Sequence, residues 1–174
     1  MNLFISLLFI MINPFSLIDF TKDINIDNWK IVDDGVMGGL SSSEFFIDKA
    51  GNAIFKGTVS TDNNGGFCSV RYFFKTIEIK SNKTFSIRLK GDGKKYQFRV
   101  KSKVSDYYSY IYEFKTTTDW QTIQIPIIEM YASFRGRTLN IPNYDGTSLS
   151  EVAFLIGNKE NESFQLMIDK IDIK

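Results

Sequence analysis

The residues whose types and spacing could do chemistry are concentrated between positions 32 and 43, where two adjacent carboxylates precede a glycine-rich stretch. The candidates for contact with a ligand or partner there are Asp33, Asp34, Met37, Gly38, Gly39 and Ser41. Carboxylate and carbonyl oxygens are the ligands that Ca²⁺ prefers, so Asp33 and Asp34 could form a structural calcium site. The alternative is that they cap a tight turn, because adjacent side chains of an extended strand point apart. The glycines permit positive φ or close packing, or they line a ligand groove.

Three further candidates lie in other polar segments. Arg71 follows an apolar strand and could form a bidentate contact with a carboxylate, with Asp34 as one partner, or reach a ligand across the sheet. Asp92 lies between two glycines, a position typical of a turn residue that hydrogen-bonds its own backbone. Tyr96 begins the strand that follows. Asp92 and Tyr96 are therefore included among the candidate site residues.

A stripe of tyrosines completes the set of candidates. Tyr108, Tyr110 and Tyr112 recur at every second position, which places them on one face of a strand. Flat rings of this kind can stack on sugars, and their hydroxyls can bond sugar alcohols. The alternative is that the stripe is part of the core. The hydroxyl groups favour a partly wet face that contacts a glycan or a peptide.

Composition excludes several classes of function. The chain has 21 Lys and Arg residues against 20 Asp and Glu, so no net charge attracts it to nucleic acid. It has no histidine, the residue that most often transfers protons near neutral pH and binds transition metals. Its single cysteine, Cys68, lies in an apolar stretch typical of a buried thiol. We therefore expect no enzymatic activity, no nucleic-acid partner and no cofactor other than the calcium alternative.

The elements that must position these residues are strands. Apolar and polar residues alternate in many segments, for example at Phe85, Ile87 and Leu89 and again at Phe98 and Val100. Turn residues separate these segments, and no long stretch has helical spacing. About ten strands fit the chain. The sequence predicts an all-β fold, a two-sheet antiparallel β-sandwich of jelly-roll type.

The first residues differ from the rest. The apolar run at positions 3–12 is too short to span a bilayer as a helix and is typical of a signal peptide. We expect a leader over residues 1–16, one β-sandwich domain over residues 17–174, and no transmembrane helix in the mature chain. Export would place the domain in the periplasm or cell envelope. If the run is instead a buried strand, or if Met11 is the true start, the protein is cytoplasmic.

Four segments together resemble a known family. They read W-x-x-V-D-D-G-V-M-G-G-x-S from Trp29, G-G-F-x-S-x-R from Gly65, G-D-G-x-x-Y from Gly91 and W-x-x-x-x-I-P from Trp120. In this order they resemble the complex I intermediate-associated protein 30 family, over roughly residues 17 to 173. The resemblance implies a galactose-binding-like jelly roll. It also implies a chaperone-like role, since the mitochondrial member holds intermediates of respiratory complex I during assembly.

Two functional hypotheses follow. The first is a non-catalytic binding or assembly protein that holds a protein partner, with respiratory-complex subunits as the partner that the resemblance implies. The second is a carbohydrate-binding module of the cell envelope, which the jelly-roll prediction, the tyrosine stripe and the expected export favour. A carboxylate-based glycosidase is disfavoured, because adjacent acids do not flank a substrate groove from opposite sides.

Overall fold

The computed structural model describes residues 15–22, 25–79 and 83–174. These ranges contain two antiparallel sheets and no α-helix, and strands account for 56% of the residues. The predicted two-sheet β-sandwich of jelly-roll type is confirmed. The apolar run at positions 3–12 lies outside the described residues.

The described residues form thirteen strands, more than the sequence predicted. In chain order they are β1 (Phe15–Asp19), β2 (Trp29–Ile31), β3 (Ser42–Ile47), β4 (Ala53–Val59), β5 (Cys68–Glu78), β6 (Thr84–Lys90), β7 (Lys95–Lys101), β8 (Ser109–Lys115), β9 (Gln121–Pro126), β10 (Tyr131–Phe134), β11 (Arg137–Thr138), β12 (Ser148–Ile156) and β13 (Glu162–Ile173). Short 3-10 helices lie at Ile26–Asn28, Asp34–Met37, Asp62–Asn64 and Ile127–Glu129. Strand β1 begins within the stretch expected to be the leader.

The two sheets have different sizes. The six-stranded sheet has the order β3-β4-β13-β6-β9, and β1 also pairs with β13. The seven-stranded sheet has the order β11-β10-β8-β7-β12-β5-β2. Every pairing between described strands is antiparallel, as expected where each sheet packs one face on a core and exposes the other.

The alternation that predicted the strands also builds the core. Phe85 of β6 and Phe98 of β7 are fully buried, and their rings meet edge to face with centroids 5.1 Å apart. Because β6 and β7 belong to different sheets, this contact joins the sheets across the core. Trp29 of β2 forms a second such contact with Phe45 of β3, at 4.8 Å between centroids. Aromatic pairs of this kind add to the stabilisation from buried area.

No helix within the described ranges is long and apolar enough to cross a membrane.

Candidate ligand-binding groove

Asp34 organises the glycine-rich stretch from inside the protein. Its side chain is fully buried, and its carboxylate accepts hydrogen bonds from the backbone N–H groups of Ser41 (3.0 Å), Gly66 (2.6 Å) and Phe67 (3.2 Å) and from the Ser41 hydroxyl. Burial alone would raise its pKa, but the hydrogen bonds from Ser41, Gly66 and Phe67 outweigh burial and lower it. The carboxylate therefore joins two of the sequence motifs, the one that contains it and the Gly65–Arg71 segment.

Two glycines allow the chain to fold around this carboxylate. A Cβ on Gly39 would overlap the Asp34 side chain, and a Cβ on Gly65 would lie 2.6 Å from Asp34 Oδ2. Gly38 has φ of 88°, a left-handed conformation that favours glycine. The glycines serve the close approach of the backbone to Asp34, which was one of the alternatives left open by the sequence.

Asp33 has a similar structural role at the surface of the same loop. Its carboxylate accepts hydrogen bonds from Ser43 Oγ (2.8 Å) and the Ser69 N–H (3.2 Å). Burial raises its pKa despite these bonds. The carboxylate oxygens of both aspartates thus accept hydrogen bonds from N–H and O–H groups of the protein itself. Within the described ranges, no group of three or more Cys, Asp or Glu side chains is arranged to hold a metal.

Asp92 and Tyr96 form another structural unit. Asp92 accepts hydrogen bonds from the Tyr96 hydroxyl (3.1 Å), the Lys94 N–H (3.1 Å) and the Gln165 N–H (2.9 Å). Tyr96 is buried in the core, and burial raises its pKa. The aspartate thus ties the β6–β7 turn to β13. The Asp92 side chain remains 21% exposed, whereas Tyr96 is only 1% exposed.

The three tyrosines of the stripe are half-buried, and two of them, Tyr110 and Tyr112, pack against the core. Tyr110 pairs with Val100 and Tyr112 with Phe98, both buried, and the two tyrosines pack against the core. Tyr108 precedes β8, and its hydroxyl lies 3.4 Å from that of Tyr110. The core alternative therefore holds in part for Tyr110 and Tyr112, and contact of the stripe with a glycan or a peptide stays a prediction. Period-two spacing places residues on a common face but does not show which face is open.

The open face of the seven-stranded sheet carries a groove formed by two adjoining cavities of about 450 Å³ and about 800 Å³. Both cavities are lined by Gln97, Gly136, Leu155 and Gly157, so they are continuous. We call the joined space the outer-sheet groove. Of the candidates from the sequence, Met37 and Arg71 line the smaller cavity and Tyr96 lines the larger one.

The floor of the smaller cavity holds a buried charge cluster. Arg71 Nη1 lies 3.7 Å from Glu151 Oε1, and Lys101 Nζ lies 3.9 Å from Glu151 Oε2. Glu151 is only 1% exposed. The partner of Arg71 is therefore Glu151, and the expected pairing of Arg71 with Asp34 is wrong. Arg99 lies beside this cluster and donates from Nε and Nη2 to Gln97 Oε1 at 2.9 and 2.8 Å.

These charges are imperfectly satisfied. Burial raises the pKa of Glu151 against the attraction of Arg71, Lys101 and Arg99. The pKa of Arg99 is lowered to about 10, mainly by burial and to a lesser extent by repulsion from Arg71. Arg71 Nε and Glu151 Oε2 are buried without a hydrogen-bond partner. Buried polar groups are normally paired, so these two atoms are exceptions beneath the floor of the groove.

Apolar side chains form the wall of the smaller cavity. Met37 is 56% exposed and Tyr107 is 66% exposed. Tyr107 meets Phe134 edge to face at 5.2 Å, and the Arg135 guanidinium lies over the Phe134 ring, 5.2 Å from its centroid. The groove therefore combines a charged floor with an apolar and aromatic wall.

The sequence motifs did not point to five residues of the groove, which are Arg99, Lys101, Glu151, Tyr107 and Phe134. A signal for three of them was available. Val152, Phe154 and Ile156 alternate along β12, which places Glu151 on the opposite face, and the alternation of Phe98 and Val100 does the same for Arg99 and Lys101. Tyr107 and Phe134 reach the groove from the end of a loop and the end of a short strand, where spacing carries no such signal.

Two antiparallel sheets in this arrangement form a galactose-binding-like jelly roll. The family 11 carbohydrate-binding module from Clostridium thermocellum, solved with a β-1,3-1,4-mixed-linked tetrasaccharide, has a TM-score of 0.68 with this chain at 19% identity. That match covers 92% of this chain and 95% of the module. The family 11 module of the cellulosomal cellulase Lic26A-Cel5E from the same organism has a TM-score of 0.67 at 19% identity. This match covers 92% of this chain and 94% of that module. An agarase has a TM-score of 0.63 at 10% identity, and the match covers 92% of this chain and 26% of the agarase. At these identities the likeness shows the fold alone.

The sequence defines the family more narrowly. The complex I intermediate-associated protein 30 pattern matches residues 18–168, which is most of the chain. The chain belongs to the complex I intermediate-associated protein 30 family. That family and the carbohydrate-binding modules with the same fold are families of non-catalytic binding domains.

Proposed function

We propose that this chain is a non-catalytic binding protein that holds a protein partner in the outer-sheet groove during assembly of a respiratory complex. The observation that carries the proposal is the composition of the groove. Exposed Met37 and Tyr107, together with Phe134, lie beside Arg71 and Arg99. Aromatic residues, methionine and arginine are the side chains enriched at protein interfaces.

The family supports the assembly role, because its description names association with an intermediate of complex I. The carboxylates support a role without catalysis. Asp33 and Asp34 use their oxygens for hydrogen bonds within the protein, and Glu151 lies beneath basic side chains. None of the three is placed as one of two acids that flank a substrate.

Site-specific crosslinking in the native cells tests this proposal. A photoreactive residue at Tyr107 would lie on the groove wall, and the same residue at Lys49 would lie in the exposed turn between β3 and β4. We expect subunits of a respiratory complex to be enriched from position 107 and absent from position 49. Recovery of no enriched protein, or of the same proteins from both positions, would contradict the proposal.

A glycan is the second candidate ligand, and the exposed Tyr107 ring next to the amide of Gln97 favours it. An exposed ring can stack on a sugar, and an amide can bond sugar hydroxyls. Export to the periplasm or cell envelope would bring the groove to such ligands. Affinity electrophoresis with a panel of polysaccharides, with and without calcium, tests this candidate. Unretarded migration in every gel would remove it.

A further inference from the structure

We infer that the outer-sheet groove binds an acidic peptide segment, so that the partner supplies Asp or Glu side chains to the basic floor of the groove. This inference rests on the proposed function, because it specifies the chemistry of the partner segment held at the same site. It makes a prediction of its own about charge, which can fail while protein binding stands.

The first support is the concentration of positive charge in the groove. Four basic side chains line the smaller cavity, which are Arg71, Arg99, Lys101 and Arg135, and no acidic residue is among its lining residues. Another four line the larger cavity, which are Lys94, Lys95, Lys115 and Lys159, together with Glu113 and Glu160. The whole chain carries only one net positive charge. Positive charge is therefore concentrated in this groove and balanced by acids elsewhere.

The second support is the unused hydrogen-bonding capacity of Arg71. Its Nη1 contact with Glu151 is 3.7 Å long, beyond a hydrogen bond, and its side chain, which lines the groove, is 24% exposed. A guanidinium presents its donors in a planar fork that matches a carboxylate. A carboxylate from a ligand would therefore gain charge-assisted hydrogen bonds that the protein itself leaves unmade.

The third support is the fixed proximity of like charges. Arg71 and Arg99 are the cross-strand neighbours of Ala153, one on each side. Ala153 between them has only a methyl side chain and is 1% exposed, and both arginines line the smaller cavity beside it. Repulsion from Arg71 contributes to the lowered pKa of Arg99. An anion between the two groups would relieve this repulsion, which gives the groove a preference for negative charge.

The wall of the groove favours a peptide over an anionic glycan. The Arg135 guanidinium covers the Phe134 ring, so that face is not free to stack on a sugar. Met37 offers a flexible thioether that packs against apolar side chains of varied shape. A segment that carries both acidic and apolar residues would match the floor and the wall together.

Fluorescence anisotropy with the full chain provides the test. The probes are a fluorescein-labelled oligoglutamate peptide, an oligoserine peptide of equal length and a heparin-derived oligosaccharide. The variants are Arg71→Met and Arg99→Met, with Lys49→Met as the matched control because Lys49 is an exposed cation in the β3–β4 turn. Circular dichroism and thermal unfolding of each variant confirm that the fold is retained.

We expect oligoglutamate to bind, oligoserine not to bind, and the affinity for oligoglutamate to fall as salt rises. Arg71→Met and Arg99→Met should each weaken this binding by about tenfold or more, as expected for a charge-assisted hydrogen bond, and Lys49→Met should leave it unchanged. Binding of heparin without oligoglutamate would overturn the inference in favour of an anionic glycan. If Lys49→Met weakened oligoglutamate binding as much as the arginine variants do, the peptide would be attracted by the overall charge of the protein and not by the groove. That result would also overturn the inference.

The two proposals fail separately. If position 107 crosslinks to respiratory-complex subunits but oligoglutamate does not bind, the acidic-segment inference is wrong and the proposed function stands. If position 107 captures no partner and oligoglutamate does not bind, both are wrong.

Discussion

Arg71 and Arg99 lie on either side of Ala153 in the open face of the seven-stranded sheet, as its cross-strand neighbours on β5 and β7. The only carboxylate within 4 Å of either guanidinium among the described residues is that of Glu151, at 3.7 Å from Arg71 Nη1. Two half-buried cations on the strands that flank β12 repel each other, and this repulsion is unfavourable unless it is compensated. The pair is best explained as a site prepared for an anion.

Replacing Ala153 by leucine should add volume between the two arginines at a covered position and displace their guanidinium groups. We expect oligoglutamate affinity to fall about tenfold or more, because the ligand carboxylate would be displaced from both guanidinium groups. The free energy of unfolding should fall by about 1–3 kcal/mol, because added volume in a packed site is unfavourable. Anisotropy and urea unfolding measure the two effects. Unchanged affinity in a folded Ala153→Leu protein would place the ligand elsewhere.

Glu151→Gln should move binding and stability in opposite directions. Loss of the buried carboxylate leaves Arg71 and Lys101 without their counter-charge, so we expect a loss of about 2 kcal/mol in the free energy of unfolding. The groove becomes more positive, so oligoglutamate should bind more tightly. Glu44→Gln is the control, because Glu44 pairs with Lys56 on the exposed face of the other sheet. Weaker oligoglutamate binding by Glu151→Gln would contradict the account in which the positive charge of the groove attracts the acidic peptide.

Asp34→Asn should destabilise the fold strongly. An amide NH₂ would face some of the N–H donors of Ser41, Gly66 and Phe67, which would be left unpaired in the interior. We expect a loss of about 3 kcal/mol or more in the free energy of unfolding. Asp62→Asn, in an exposed 3-10 turn, should change it by less than about 0.5 kcal/mol. Urea unfolding of both variants checks the difference.

The same aspartate predicts a pH dependence. The pKa of Asp34 is lowered in the folded protein from its ordinary value of 3.8, so its contribution to stability is fully present above that value. The contribution is lost as pH falls through the lower folded pKa. The stability difference between the wild-type chain and Asp34→Asn should therefore be constant near neutral pH and shrink below about pH 4. A difference that grows on acidification would contradict this assignment.

Two glycines of the same loop make a matched pair for mutation. Gly39→Ala should destabilise by about 2 kcal/mol or more, because its Cβ would overlap the Asp34 side chain. Gly35→Ala should be nearly neutral, since a Cβ there meets nothing within 4 Å. Thermal unfolding compares the two. Equal effects would show that flexibility of the loop, not its approach to Asp34, requires the glycines.

The sequence predicted the fold better than the site, and particular residues show why. The alternation around Phe85 and Phe98 reflects the burial of one face of each strand. This pattern can be seen within a short segment of sequence, so it was sufficient to predict a sandwich. The tyrosines of β8 obey the same rule, but which face is open depends on where the second sheet lies. The pairing of Arg71 with Glu151 joins β5 to β12, strands far apart in sequence, and spacing alone could not show it.

Hydrogen–deuterium exchange of the chain alone and in complex with its crosslink-identified partner tests the central claim most directly. If the partner lies in the outer-sheet groove, exchange should slow at Asp34–Met37, at residues 102–108 and at residues 134–136, which lie around the smaller cavity. The β3–β4 turn at residues 48–52 should be unaffected. Protection confined to that turn and to the six-stranded sheet would show that the partner binds the opposite face and that the groove is not the binding site.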